Sequence, residues 1–266
     1  MYSCTNYNYM RTPITYYGGK QLMLRHILPL IPNHRIYTEA FVGGGAVFWA
    51  KPPTDIECIN DLNRELINFY EVLMTKPDEL KRLINVSLHS RDTHRLAINI
   101  NKYPFLFTDV HRAWAVWCLS VQGFSGKLDG SWGYDKTSNS TVKAIGRHIE
   151  TDFEQYAIRL KKVQIESNDA VKVIESRDTS DTFHYCDPPY FNSHCGHYAG
   201  YSEVDFTRLL DTLSNAKGKF MLSSYPSEVL SKYVRQQGWK QVSFDKNVSV
   251  NSKSSKRKVE VLTMNY

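Results

Sequence analysis

No uncharged apolar run in this chain approaches the length of a membrane span, so a helical membrane protein is excluded. Residues 1 to 11 are polar and aromatic, unlike a signal peptide, and the expected location is the cytoplasm. There is no Gly-Lys-Ser/Thr phosphate loop, which excludes that class of nucleotide triphosphatase. The five cysteines are Cys4, Cys58, Cys118, Cys186 and Cys195. Their number is odd and no Cys-x-x-Cys occurs, so no disulfide framework is expected. His194, Cys195 and His197 crowd one loop without a fourth ligand at the usual spacing, so no metal site is expected. Internal repeats and low-complexity linkers are missing too. The net charge of +6 is modest; it fits a nucleic-acid partner and does not prove one.

What the chain does have is length and pattern. Its 266 residues can bury a substantial core. Residues 12 to 72 alternate strand and helix, which favours a parallel sheet. Strands are expected at Ile36 to Phe41, Ile56 to Asn60 and Phe183 to Cys186. Helical patterns carry Leu22, Ile27, Leu28 and Ile31, then Leu62, Leu66, Phe69, Tyr70 and Leu73. From 73 to 163 helices dominate; Val110, Ala113, Trp114, Trp117, Cys118 and Val121 mark one amphipathic helix. Strand–helix alternation returns after that. The expected organisation is a split α/β domain, 12–72 and 164–266, with a mostly helical insertion at 73–163.

The most informative stretch is Asp187-Pro188-Pro189-Tyr190. Two prolines after an apolar strand force a rigid turn. That turn sets a carboxylate, carbonyls and an aromatic ring at a strand's C-terminal end, where ligands bind in open α/β sheets. A carboxylate and a carbonyl accept hydrogen bonds from an exocyclic amine, and a Tyr face stacks on a base. A Pro-rich turn with a surface Asp would look the same in isolation.

A second motif follows the first expected strand: Phe41-Val42-Gly43-Gly44-Gly45-Ala46. Such glycines allow a tight turn and close backbone approach. Asp61, with Asn63 two residues on, lies at the next strand end; an acid about 20 residues beyond the glycines suits ribose hydroxyls. This points to a nucleoside site more than a triphosphate site. The third cluster, Tyr16-Tyr17-Gly18-Gly19-Lys20, offers two rings and a cation to a carboxylate ligand, or is a simple turn.

Two segments suit a polyanion. Lys246 to Lys258 carries five cations, including Lys253, Lys256 and Arg257, and no acid. It can grip phosphates or be a solvated loop. Gly123 to Tyr134 holds four glycines with Ser125, Lys127 and Trp132. That composition suggests a hairpin or exposed loop whose side chains reach base edges, or a closing loop with Trp132 packed inward.

The order Tyr-x-Gly-Gly-Lys, Phe-Val-Gly-Gly-Gly, Asp-Leu-Asn, Asp-Pro-Pro-Tyr resembles the Dam-like DNA adenine N6-methyltransferases of the alpha (D12) class, from about Thr12 to Tyr266. The resemblance implies a Rossmann-like S-adenosylmethionine-dependent methyltransferase sheet with helices on both faces and an inserted target-recognition domain. It implies Asp187, Pro188, Pro189 and Tyr190 as the catalytic group. Tyr16, Tyr17, Lys20, Phe41, Gly43, Gly45, Asp61, Asn63, Asp169 and Asp187 would hold the cofactor. Ser125, Lys127, Trp132, Lys253, Lys256 and Arg257 would contact double-stranded DNA. The loop His194 to Tyr201 would cover a flipped adenine. It further implies a bacterial or phage protein, with a cognate restriction enzyme as an open question; a monomer is expected because DNA asymmetry does not demand a dimer. Gln122-Gly123-Phe124 and Trp132-Gly133-Tyr134 stand where the family usually carries Asn-Gly-Leu-x-Arg and Phe-Asn-Val-Pro, so no recognition sequence, GATC included, follows. N4-cytosine, RNA adenine and protein glutamine are alternative acceptors. Asp at 187 leans toward adenine by the same resemblance. A DNA-binding module with a retired centre is the non-enzyme alternative.

Overall fold

A computed structural model of the chain describes residues 9–191, 201–246 and 258–266. The chain gathers into two compact units. One holds the residues up to Leu30, Val42–Pro53 and Asn63–Ser167; the other holds Ile31–Phe41, Thr54–Leu62 and the chain from Asn168 on.

The strands are β1 (Ile36–Glu39), β2 (Ile56–Asn60), β3 (Val163–Glu166), β4 (Thr182–Cys186), β5 (Lys219–Ser224), β6 (Lys240–Lys246) and β7 (Lys258–Met264). They form a seven-stranded sheet in the order β3-β2-β1-β4-β5-β7-β6. β1 pairs in parallel with both β2 and β4, Ile36 lying opposite Ile56 and Thr182. β4 is parallel to β5, whereas β7 runs antiparallel to both β5 and β6. Every residue of β1 and β4 is buried, as in a parallel sheet covered on both faces. The α/β reading therefore holds. β1 ends at Glu39, two residues before Phe41, because the chain turns there toward the glycines.

The first unit is built mainly of helices: α1 (Leu24–Ile27), α2 (Ala46–Ala50), α3 (Arg64–Thr75), α4 (Pro77–Asn85), α5 (Arg91–Lys102), α6 (Asp109–Gln122), α7 (Ser140–Ile149) and α8 (Phe153–Leu160). α6 is buried from Ala113 to Gln122 without a break, so its apolar surface is wider than one stripe. Helices apolar all round are core helices. Arg112 on α6 donates a fork of hydrogen bonds to both oxygens of Glu65 on α3, at 2.8 and 2.6 Å.

Two helical expectations shift. The Asn63 side-chain oxygen accepts from the Glu65 and Leu66 amides and so caps α3. Leu62 precedes the cap and is 77% exposed; it does not join Leu66, Phe69, Tyr70 and Leu73 inside. Near the start, α1 spans one turn and passes into a tight turn at Leu28–Leu30. Pro29 and Pro32 supply no N–H to extend it, and Leu22 is 83% exposed. Cys58, Cys118 and Cys186 are free and buried, and burial pushes the Cys118 thiol up to about 12.

In the second unit α9 (Ala170–Ser176), α10 (Glu203–Ser214) and α11 (Glu228–Gln237) pack one apolar layer. Ile174, Phe206, Leu209, Leu210 and Leu230 meet Cys186, Phe220, Leu222 and Val261 from the strands. One buried amide fixes the edge of this sheet. Asn60, at the end of β2, donates to the carbonyls of Ala40 and Asn168 at 2.9 and 3.0 Å. Its oxygen accepts from the Asn168 amide at 2.9 Å. Three chain segments are thus held by one side chain.

Truncating that side chain leaves the buried Ala40 carbonyl unpaired, a loss worth about 1–3 kcal/mol. Asn60→Ala is expected to lower the unfolding free energy by about that amount in urea titration. An unchanged midpoint would show that the amide is not a clamp.

Candidate active site

The C-terminal ends of β2, β1, β4 and β5 lie side by side because the four strands are parallel neighbours. Asp61, Phe41, Asp187 and Ser224–Tyr225 are the residues at or just beyond those ends. Sequence reasoning singled out the first three at separate points of the chain, and the sheet brings them to one edge.

After β4 the chain enters Asp187-Pro188-Pro189-Tyr190. Asp187 is half-buried. The Tyr190 hydroxyl lies 3.2 Å from Asp187 Oδ1, 3.0 Å from Ser223 Oγ and 3.0 Å from Glu260 Oε1. Ser223 donates to the same Glu260 oxygen at 2.8 Å. Burial first, then the charges of Asp187 and Glu260, push the Tyr190 phenol well above its ordinary value. Tyr190 is therefore a neutral donor at any working pH. Its ring meets Tyr225 edge-on at 4.4 Å. Pro189, Tyr190, Phe191, Phe206, Ser224 and Tyr225 line a small cleft beside it. A half-exposed carboxylate next to an aromatic cleft can accept hydrogen bonds from an amine on a planar ring.

Asp169 sits at the N-terminus of α9. It caps that helix through the Lys172 amide and pairs both oxygens with the Arg208 guanidinium at 2.8 Å. Its expected contact with a cofactor would have to share the carboxylate with these partners. Phe41 packs edge-on against Tyr201 at 6.3 Å.

In the first unit the glycine loop has the backbone its residues allow. Gly43 and Gly45 have φ of 48° and 67°, a region that favours glycine. The Gly43 carbonyl accepts from the Tyr70 hydroxyl at 2.6 Å. A Cβ on Gly43 would lie 3.0 Å from the Tyr16 ring, and one on Gly44 would lie 2.8 Å from Tyr16 Cβ. Tyr16 thus lies directly on the loop, so two of the three expected cofactor clusters meet. Lys20 is buried, its ammonium donating to the Gly18 carbonyl at 3.0 Å. Asn63 is occupied in capping α3.

The Gly123 to Tyr134 loop closes by a bridge between Gly123 and Trp132. Ser125 is exposed and has φ of 62°. Trp132 is half-buried, stacked with His89 at 5.0 Å and with Tyr134 at 5.6 Å, and the Arg91 guanidinium lies 4.8 Å from its ring centre. Lys127 lies over the Tyr17 ring at 4.6 Å, and the Tyr17 amide donates to Gly126 O at 3.2 Å. The loop and the Tyr16–Lys20 segment are therefore tied together. Lys253, Lys256, Arg257 and most of the loop His194 to Tyr201, with His194, Cys195 and His197, lie outside the described residues.

Glu260, Ser223 and Asn60 escaped sequence reasoning as site residues. Only Glu260 left a signal, as an acid inside the apolar strand Val259-Glu260-Val261-Leu262, where a charge needs a reason.

A family model of D12 class N6 adenine-specific DNA methyltransferases matches residues 16–247. Among curated proteins, the Type II methyltransferase M1.LlaDCHI of Lactococcus lactis subsp. cremoris is 27% identical over 94% of this chain and 93% of its own length. A DNA N-6-adenine-methyltransferase of Escherichia phage P1 is 27% identical over 75% of this chain but 27% of its own length. A DNA adenine methylase of Vibrio cholerae is 29% identical over 65% of this chain and 62% of its own.

The Arg208 hydrogen bonds hold the Asp169 carboxyl below its ordinary value of 3.8. A carboxyl lowered in the folded state contributes fully above its unfolded value, and that contribution is lost as pH falls through the lowered value. Both side chains are partly exposed, so the neutral-pH contribution stays under about 1 kcal/mol. Asp169→Asn is expected to flatten the acid limb of a stability–pH curve measured by urea unfolding. Superimposable acid limbs would contradict the pairing.

Proposed function

The chain belongs to the D12 class N6 adenine-specific DNA methyltransferases, and from that premise we propose that it methylates the N6 amine of a flipped adenine in double-stranded DNA, using S-adenosylmethionine. The observation that carries the reading is Asp187-Pro188-Pro189-Tyr190 at the C-terminal end of the central strand β4, beside an aromatic cleft.

Two separate observations support the cofactor reading: glycine backbone in the left-handed region at Gly43 and Gly45, and an acid, Asp61, just beyond the end of β2. S-adenosylmethionine supplies, when bound, a methyl group on a cationic sulfur, which is already an activated donor. Phe41, Gly43 and Gly45 would flank it. Asp61 would accept from ribose hydroxyls, with Asn63 contributing beside its capping role. Tyr16, Tyr17 and Lys20 would hold the methionine end, and Asp169 the adenine end.

The target adenine cannot react inside a stacked duplex and must leave it. Tyr190 would stack on the extruded base. Asp187 and the Pro188 carbonyl would accept from the N6 amine, turning its lone pair toward the methyl group. Transfer is then a direct displacement that needs no covalent enzyme intermediate. The amine sheds a proton to water only after methylation, so Asp187 need not be a strong base. Alignment of this kind can offset about 7–11 kcal/mol of barrier.

For the polymer, residues 73–163 are proposed as the target-recognition insertion, with Ser125, Lys127 and Trp132 toward bases. Lys253, Lys256 and Arg257 would bind phosphates, which fits a polyanion partner. Relatives in a bacterium and a phage support a bacterial or phage cytoplasmic enzyme. No helix among the described residues is long and apolar enough to cross a membrane. One relative is a Type II methyltransferase, which supports a search for a companion restriction enzyme. A monomer suffices for the proposed chemistry.

Expression in a host without DNA methylation, followed by nucleoside mass spectrometry, tests the reading. Wild type is expected to yield N6-methyladenine, and Asp187→Ala and Asp187→Asn to lose it by at least about 10²-fold while still folding. Full activity in either variant would remove Asp187 from the mechanism. N4-methylcytosine would keep the chemistry and change the base, and unmodified DNA would redirect the search to RNA or protein acceptors.

A further inference from the structure

β7 pairs with β5 so that Leu262 lies opposite Ser223 and Val261 opposite Ser224. Side chains alternate along a strand, so Glu260 shares the face of Leu262 and stands diagonal to Ser223. It is fully buried. A carboxylate out of water is costly unless hydrogen-bonded. Two partners of Glu260 are the Ser223 hydroxyl at 2.8 Å and the Tyr190 hydroxyl at 3.0 Å. A one-residue slip of β7 would move the acid to the opposite face.

Tyr190 has one hydroxyl proton and two carboxylates within reach. Glu260 Oε1 is nearer, at 3.0 Å against 3.2 Å for Asp187 Oδ1. We infer that Glu260 is a positioning residue for the methyl transfer: it takes the Tyr190 proton, which fixes the ring beside Asp187. Ser223 spends its own proton on Glu260 and locks the carboxylate in place. Glu260 therefore acts through Tyr190 and touches neither base nor cofactor. The inference rests on the adenine-methylation reading above.

The test is a double-mutant cycle on the full chain, with kcat and KM measured on duplex DNA and S-adenosylmethionine binding measured by calorimetry. Glu260→Ala is expected to lower kcat about 10²-fold, with cofactor affinity unchanged. Glu260→Gln keeps the shape and a weaker acceptor, and should lose about tenfold. In a Tyr190→Phe background neither change should lower kcat further, since the group through which Glu260 acts is gone. If Glu260→Ala does not fold, the Glu260→Gln arm carries the cycle. Wild-type kcat in folded Glu260→Ala, or in Glu260→Gln, would overturn the inference. So would an equal loss with and without the Tyr190 hydroxyl. Wild-type protein that methylates no adenine would overturn this inference and the proposed function together; an active wild type with silent Glu260 variants would overturn this inference alone.

Discussion

Parallel pairing of β1 with β2 and β4 is the constraint on which the rest depends. Parallel strands send all their C-terminal ends to one edge, so the residues that follow them become neighbours whatever their separation in sequence. Asp61 and Asp187 lie far apart along the chain yet leave that edge on either side of β1. The buried Asn60 amide holds the same edge by tying the ends of two strands to the start of α9. A loop set on such a frame can be irregular without being loose, because its two ends are fixed.

The chemistry proposed for that edge asks for placement more than for strong acids or bases. A carboxylate that only accepts hydrogen bonds needs no raised basicity. It needs its neighbours fixed. The Tyr190 environment meets this need with a neutral phenol, a serine and a second, fully buried carboxylate. Packing supplies the remainder, with Tyr190 against Tyr225 and Phe191 against Phe206.

What was legible in the sequence was what local chemistry dictates. Two prolines after a buried strand, and glycines where left-handed backbone is required, declare their turns without tertiary information. The β1, β2 and β4 positions followed from apolar runs, and the α/β class from their alternation with helices. Contacts between distant segments were not legible. Glu260 meets Tyr190 across 70 residues, and only the β5–β7 register brings them together. Leu62 stands outside the helical period because the Asn63 cap starts α3 after it. Leu22 lies before α1 begins, so the helical period does not reach it. Asn63 illustrates a different limit: one residue type serves helix capping and ligand binding equally well, and sequence cannot weigh the two.

The bond from the Tyr17 amide to Gly126, with Lys127 lying on the Tyr17 ring, bears on how such a protein can diversify. A reading loop attached only at its own ends could be exchanged as a cassette, one target word for another. Here Gly126 also fits against Thr15, where a Cβ would come within 2.9 Å. On the proposed role of this loop as target reader, new specificity would arise by changing side chains on a backbone path that is kept. Evolution, and any engineer, would then rewrite letters within a fixed frame.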